Sequence, residues 1–300
     1  MKVLKRETRN MGTADYHRLE CPPYLNHSTI RYLAAEGSWR ARHDVMFRPQ
    51  QGDEEQTDAQ RVGTIFHLAQ ETPEWMKWVV VVPSELEDDE WRLQVEDEFM
   101  DSKLTVSLDP GTTINLRSKA HKRYRDLHRE AAIEAGKLWL TEAECQVVLS
   151  QVAACLENPV IRELTRRQLG REVVYLAETN SDIILKALVD VDCPEYILDW
   201  KTTRFNTPHS FVRDAYRKGY HYQAGHYLTV TGKDVFYFAA VTKSVPAEAM
   251  VYQVPPETIE TAKNENDKLY DAIAGCFAME SYHCPGWGTI MPLDTEGLPI

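Results

Sequence analysis

Tyr196-Ile197-Leu198-Asp199-Trp200-Lys201 reads as a β-strand that ends in acid-x-lysine. Side chains alternate across a strand, so Asp199 and Lys201 share one face. Just upstream, the apolar run Ile183-Ile184-Leu185-Lys186-Ala187-Leu188-Val189 closes on a second acid, Asp190. Paired as a hairpin, the two strands bring two carboxylates and one ammonium together. Carboxylates hold hard divalent cations, and a lysine beside them can orient or deprotonate an attacking water. Taken alone, acid-x-lysine is also an ordinary surface pattern, and Asp182 and Asp192 are equally near in sequence. The rest of the chain therefore has to decide.

Downstream, a helix is predicted over residues 209–230, carrying Tyr220-His221-Tyr222-Gln223-Ala224-Gly225-His226-Tyr227. Gln223 and Tyr227 stand at i and i+4 on one of its faces, as an active-site pair or as part of a tyrosine-rich core stripe. Strands are predicted at 172–177, 234–241 and 250–254, then a helix over 256–280 and an irregular Pro/Gly-rich tail. Upstream, helices are predicted at 24–45 and 59–70. The second carries Gly63-Thr64-Ile65-Phe66-His67, whose histidine is either structural or a neutral imidazole ligand beside two carboxylates. Residues 75–83, with a buried valine run, read as a strand. Helices follow at 119–137 and 159–169. Between these two, Thr141-Glu142-Ala143-Glu144 has capping-box spacing and opens a helix to about residue 158. Helices before and after a strand cluster imply a mixed α/β (α+β) fold, a mixed central sheet flanked by helices.

The 300 residues, 43% hydrophobic and 10% aromatic, suffice for one large domain. We divide it into an N-terminal segment 1–60, a core 61–255 with a helical insertion 84–170, and a C-terminal helix and tail 256–300. No apolar run approaches the roughly 20 residues that span a bilayer, and Met1-Lys2-Val3-Leu4-Lys5-Arg6-Glu7 is no secretory signal, so a cytoplasmic protein is expected. The six cysteines (Cys21, Cys145, Cys155, Cys193, Cys276, Cys284) form no C-x-x-C pair, which argues for reduced thiols over zinc or a cluster. The net charge of −12 argues against a general nucleic-acid coat protein. Its distribution is uneven. An acidic run from Glu85 to Asp101, interrupted by the single base Arg92, contrasts with basic groups at Arg162, Arg166, Arg167 and Arg171 and at Arg213, Arg217 and Lys218. The segment 84–116, acidic and then turn-like at Asp109-Pro110-Gly111, is assigned no element.

Four motifs occur in order: Gly63-Thr64-x-x-His67, Lys186-Ala187-x-x-Asp190, Asp199-x-Lys201-Thr202-Thr203 and Tyr220-His221-x-Gln223-x-x-x-Tyr227. In this order they resemble the PD-(D/E)XK nuclease superfamily, and more closely its RecE-type exonuclease branch, which shares motifs with RecB-like nuclease domains and is commonly phage or prophage derived. Weaker echoes lie at Asp15-Tyr16-His17, Leu25-Asn26-His27-Ser28 and Cys284-Pro285-Gly286-Trp287. One departure is Leu188, where the family often carries a basic residue two positions before the acid.

The resemblance implies a restriction-endonuclease-like core and Mg²⁺ or Mn²⁺ held by His67, Asp190 and Asp199. It implies that Lys201 orients or activates water, and that Gln223 and Tyr227 position the lysine or a phosphate. Glu172 is a further ligand or a plain surface acid; Thr202 and Thr203 meet a phosphate or cap the turn. Trp200 should face away from the ions. By the same analogy the substrate is the end of linear double-stranded DNA, digested 5′ to 3′ to leave a 3′ single strand for recombination. The implied partners are a RecT-type annealing protein and further copies of the chain in a ring-like homo-oligomer, with no membrane. The competing readings are a structure-specific or restriction-like endonuclease and a non-catalytic DNA-binding module.

Overall fold

The structure, a computed structural model, describes residues 2–9, 11, 13–19, 24–26, 28, 57–83, 91–97, 102–108 and 119–279. The helices, in chain order, are α1 (Thr13–Arg18), α2 (Asp58–Glu71), α3 (Lys119–Glu134), α4 (Glu142–Glu157), α5 (Pro159–Arg166), α6 (Pro208–Arg217), α7 (Tyr220–Thr231) and α8 (Pro256–Met279). The strands are β1 (Val3–Arg9), β2 (Tyr24–Leu25), β3 (Val79–Val82), β4 (Trp91–Asp97), β5 (Ser102–Leu108), β6 (Leu138–Thr141), β7 (Gly170–Thr179), β8 (Ile184–Asp192), β9 (Tyr196–Thr203), β10 (Val235–Thr242) and β11 (Ala249–Gln253).

A seven-stranded sheet runs β1-β7-β8-β9-β10-β11, with β2 added beside β8. Most neighbours are antiparallel; β9 and β10 are parallel, because α6 and α7 form the crossover between them. Alternation along β9 divides the core into two layers. Ile197 joins Phe211, Ala224, Leu228 and Tyr270 of α6, α7 and α8 on one face. Leu198 and Trp200 join Phe66, Cys155 and Ile161 of α2, α4 and α5 on the other. Helices on both faces make this a three-layer α/β/α arrangement, with the mixed sheet inside as expected.

The capping box of Thr141 and Glu144 forms, and a second, Thr57 with Gln60, starts α2. Other expectations are corrected. Residues 209–230 are two helices, because Gly219 takes a left-handed φ of 71° between α6 and α7. Residues 75–78 are a 3₁₀ turn, so the strand starts only at Val79, and Trp78 is exposed. Tyr24–Leu25 is a strand; the remainder of the helix expected at 24–45 falls largely outside the described residues, as do Cys21 and the tail beyond residue 279. The acidic segment contains the antiparallel pair β4 and β5, and the rest of it likewise lies outside the described residues. Among the described cysteines, Cys145, Cys155 and Cys193 are free and buried, in keeping with reduced thiols. None of the described helices is long and apolar enough to cross a membrane.

Two buried polar groups tie α7 and the N-terminal segment to the sheet. Lys186 of β8 donates to Tyr16 O (3.0 Å) and Leu19 O (2.5 Å), the carbonyl end of α1, where a cation is favoured. His226, fully buried in α7, pairs through Nδ1 with the Tyr270 hydroxyl (2.7 Å) and through Nε2 with Lys186 O (2.9 Å). Burial pushes the His226 imidazole down to about 4. Its unfolded-state value is near 6.5, so the unfolded chain takes up the proton first as pH falls. The stability His226 contributes is therefore complete above about pH 7 and is lost between roughly pH 6.5 and 4, in total about 3 kcal/mol. Urea denaturation of the protein and of His226→Gln across that window checks this. The protein should lose more stability on acidification than the variant does; parallel curves would refute the assignment.

Candidate active site

The site lies where β8 and β9 part. Their backbone pairing consists of Asp192↔Ile197 and Val191↔Leu198, and the next step of that register sets Asp190 opposite Asp199. There a side chain replaces the ladder: Asp190 Oδ2 accepts the Trp200 N–H at 2.7 Å. On the other side, the pairs Arg171↔Val191 and Val173↔Val189 place Glu172 opposite Asp190. Glu172 breaks the strand geometry with a φ of 50°. Such a conformation costs a residue with a Cβ about 1–3 kcal/mol and persists where surroundings enforce it, most often at functional sites. Three carboxylates from three adjacent strands thus fall in one row.

Helix α2 brings the imidazole. Phe66 packs edge-on against Trp200 (ring centroids 6.1 Å, 88°), on the side of β9 away from Asp199 and Lys201. Buried Arg61 fixes the start of the same helix through Trp139 O (2.7 Å) and Glu144 (2.8 and 3.1 Å). One residue beyond Phe66, His67 Nδ1 reaches to 3.6 Å from Asp190 Oδ2 and 4.0 Å from Glu172 Oε1. Burial pulls the His67 imidazole down, but the negative charge of Asp190, with the Glu172 carboxylate close by, outweighs it and holds it at about 9. Glu71, four residues on and so on the same helix face, approaches Glu172; burial, then the Glu172 charge, raise its carboxyl to about 7. Glu71 went unnoticed in the sequence, although its i+4 spacing from His67 is a signal for it.

On β9, the Lys201 ammonium contacts Asp199 Oδ1, and Gln223 Nε2 of α7 donates to Asp199 Oδ2 at 2.7 Å. Burial raises the Asp199 carboxyl to about 6 despite the lysine, with Asp190 adding to the rise. Burial lowers Lys201, but the charges of Asp199 and Asp190 prevail and raise it, so it stands as an ammonium. The amide of Gln223 therefore orients the acid rather than the lysine. Tyr227, one turn further on α7, lines the same pocket.

That pocket encloses about 260 Å³. Its walls hold every ligand and catalytic candidate from the sequence (His67, Glu172, Asp190, Asp199, Lys201, Gln223, Tyr227), and Leu188 as well, but neither Thr202 nor Thr203. Tyr16, Asn26 and Ser28 of the N-terminal segment complete it. Thr203 instead accepts the Phe205 N–H (3.1 Å) and caps the turn after β9. Ligand atoms of His67, Glu172 and Asp190 all lie within 4.8 Å of one another. An all-oxygen-and-imidazole set without thiolate suits a hard divalent cation, which would take the place of the proton that Asp190 and Glu172 hold on His67 when the ion is absent. The residues therefore fit such an ion.

Comparisons with known proteins agree with this architecture. Residues 41–284 match the family described as a PDDEXK-like domain of unknown function (DUF3799). A crystal structure from Eubacterium rectale, of a protein assigned provisionally as an exonuclease, superimposes with a TM-score of 0.54 at 14% identity. The match covers 91% of this chain and 88% of that one, and shows a shared fold. A second match, to Rai1 of Scheffersomyces stipitis, has a TM-score of 0.29 at 10% identity over 90% of this chain and 74% of that one, too low to carry an argument. No curated protein matches the chain.

Proposed function

The chain belongs to the family of PDDEXK-like domains, and from that premise we propose that it is a metal-dependent deoxyribonuclease of RecE type. It degrades the ends of linear double-stranded DNA, 5′ to 3′, and leaves a 3′ single strand for recombination. The observation that carries this reading is the convergence of His67, Glu172 and Asp190 beside the Asp199–Lys201 pair. The preference for ends rests on the motif order, above all D-x-K-T-T followed by Y-H-x-Q-x-x-x-Y. A RecT-type annealing protein and a ring-like homo-oligomer are the partners this activity calls for.

His67, Glu172 and Asp190, with Asp199 beside them, would hold Mg²⁺ or Mn²⁺. When bound, such an ion supplies Lewis-acid stabilisation of charge on the phosphoryl oxygens and lowers the pKa of water. The chain's own groups do the rest. Lys201, kept protonated by its two acids, orients the attacking water and offsets charge on the phosphorus oxygens. Gln223 locks the Asp199 carboxylate in its rotamer by hydrogen bonding. Asp190, anchored on the Trp200 N–H, cannot swing away.

The direct test incubates the purified protein with end-labelled linear duplex and with closed circular duplex, in Mg²⁺ or Mn²⁺, with and without EDTA. Loss of the 5′ label from linear DNA, with circles spared and EDTA abolishing the reaction, is the expected result. Cleaved circles would assign an endonuclease, and intact DNA throughout would refute the nuclease reading. Ion binding has its own readout. At 100 times the dissociation constant a ligand of the folded state adds about 2.7 kcal/mol, and in a domain of this size that is a rise of about 5–10 °C in Tm. Calorimetry should show that rise with Mg²⁺ or Mn²⁺ and its reversal by EDTA; an unmoved Tm would remove the ion site.

A further inference from the structure

Tyr216 and His221 are five residues apart, and on an uninterrupted helix they would point about 140° away from each other. The left-handed φ of 71° at Gly219 breaks the helix between them and folds one ring onto the other. Their centroids lie 4.5 Å apart and their planes within 9° of parallel. Tyr216 is nonetheless 70% exposed, and Val212, one turn back on α6, is 54% exposed. An aromatic ring held flat from one side and open on the other offers a free face on which another flat ring can stack. His221 Nδ1 is buried without a hydrogen-bond partner among the described residues. Burial lowers its pKa, which keeps the ring neutral. Glu265 is its acidic neighbour.

The surroundings carry positive charge and lead back to the catalytic lysine. Tyr220, next to His221, has the Lys201 ammonium 4.9 Å and the Lys218 ammonium 5.9 Å from its ring centroid. Lys243 is held by its backbone N–H to Thr203 O (2.8 Å), at the end of β9, and burial together with the charge of Lys218 lowers its pKa. Two ammonium groups crowded at a partly desolvated spot favour an anion. Asp214 offsets part of this charge through Arg217 (2.9 Å) and Lys218 (2.6 Å). Arg213 adds a further exposed guanidinium to α6.

We propose that the Tyr216–His221 stack is a nucleobase platform, on which an unpaired base of single-stranded DNA next to the scissile phosphate lies, with its backbone phosphate between Lys218 and Lys243. Neutral aromatic rings beside ammonium groups spaced along a strand are the sequence-tolerant way to hold single-stranded nucleic acid. A base stacked there extends the strand that enters past Lys201, and so selects frayed or resected ends over intact duplex. The assignment rests on the nuclease reading for its meaning, but binding is measured without turnover.

The test uses the whole protein in EDTA, with a fluorescein-labelled twelve-residue oligothymidylate followed by anisotropy. Tyr216→Ala should weaken binding about tenfold, and Tyr216→Trp should restore it, with melting curves unchanged because the side chain is exposed. Lys243→Gln should weaken binding and also flatten its salt dependence. Equal binding by Tyr216→Ala within twofold, or no binding by the unaltered protein, overturns the platform. The two readings fail separately. A protein that binds through Tyr216 but cuts nothing keeps the platform and loses the nuclease; one that cuts as well without Tyr216, and binds as well, does the reverse.

Discussion

Lys201→Ala should abolish DNA hydrolysis, by about 10²–10⁴-fold in kcat, while leaving the ion-induced rise in Tm in place. Lys201 is the ammonium in contact with Asp199, and a positioned group that handles the proton and charge of the attacking water is worth that much. Its loss should not unfold the protein. Deleting one member of a buried ion pair ordinarily costs about 3–5 kcal/mol, because the other charge is stranded. Here Asp199 already has its carboxyl raised to about 6, first by burial, so it can take up a proton in place of the lost cation. Gln223 still anchors its other oxygen. The ion should bind at least as well to the variant, since a repelling charge is gone. Turnover lost with the thermal shift kept is thus the signature of a residue that acts on water rather than on the ion. Both lost together would move Lys201 to a structural role.

How much of this was legible depended on which physical rule governed each residue. Asp199 and Lys201 obey strand alternation, and the Thr141–Glu144 cap obeys a local hydrogen-bond rule, so both could be read directly. Glu172 could only be left open. Its inclusion depends on a left-handed backbone at one strand position, which no side-chain pattern announces. The break at Gly219 was masked because an isolated glycine in a helical stretch is usually tolerated. Strand β1 lacks any apolar alternation, since as an edge strand it needs no two-faced pattern. In β4 and β5 the signal was present: Trp91, Leu93 and Val95 alternate with polar residues, as do Leu104, Val106 and Leu108. The concentration of acids around them concealed it, and the segment is assigned no element from sequence. Gln223 was identified as a site residue, but its partner is the acid, because α7 lies over the sheet face that carries Asp199. Trp200 faces away as expected, and its backbone N–H supplies the unforeseen anchor for Asp190.

Asp190→Asn should remove both activity and ion binding, and yet make the ion-free protein more stable at pH 7. Asp190 is a shared member of the site: it lies 3.6 Å from His67, opposite Glu172 and Asp199 in register, and it accepts the Trp200 N–H. An asparagine keeps the acceptor for that N–H but withdraws the charge, so hydrolysis should fall by at least about 10³-fold and the Tm rise with Mg²⁺ or Mn²⁺ should vanish. Stability follows from the sign of the carboxyl shift. Burial raises the Asp190 pKa, and the Glu172 charge adds to it, against the opposing pull of His67 and Lys201. A carboxyl whose folded-state pKa is above its unfolded value makes the folded state less stable wherever it is ionised, and that cost fades as pH falls and the group protonates. The asparagine variant escapes it. Its ion-free Tm should therefore exceed that of the unaltered protein by a few degrees at neutral pH, with the gap closing on acidification. In saturating Mn²⁺ the order should reverse, because only the unaltered protein gains the ion. A variant less stable than the parent in EDTA at pH 7 would show that the Asp190 carboxylate is held there by His67 as a structural ion pair, not kept at a cost for the sake of a metal.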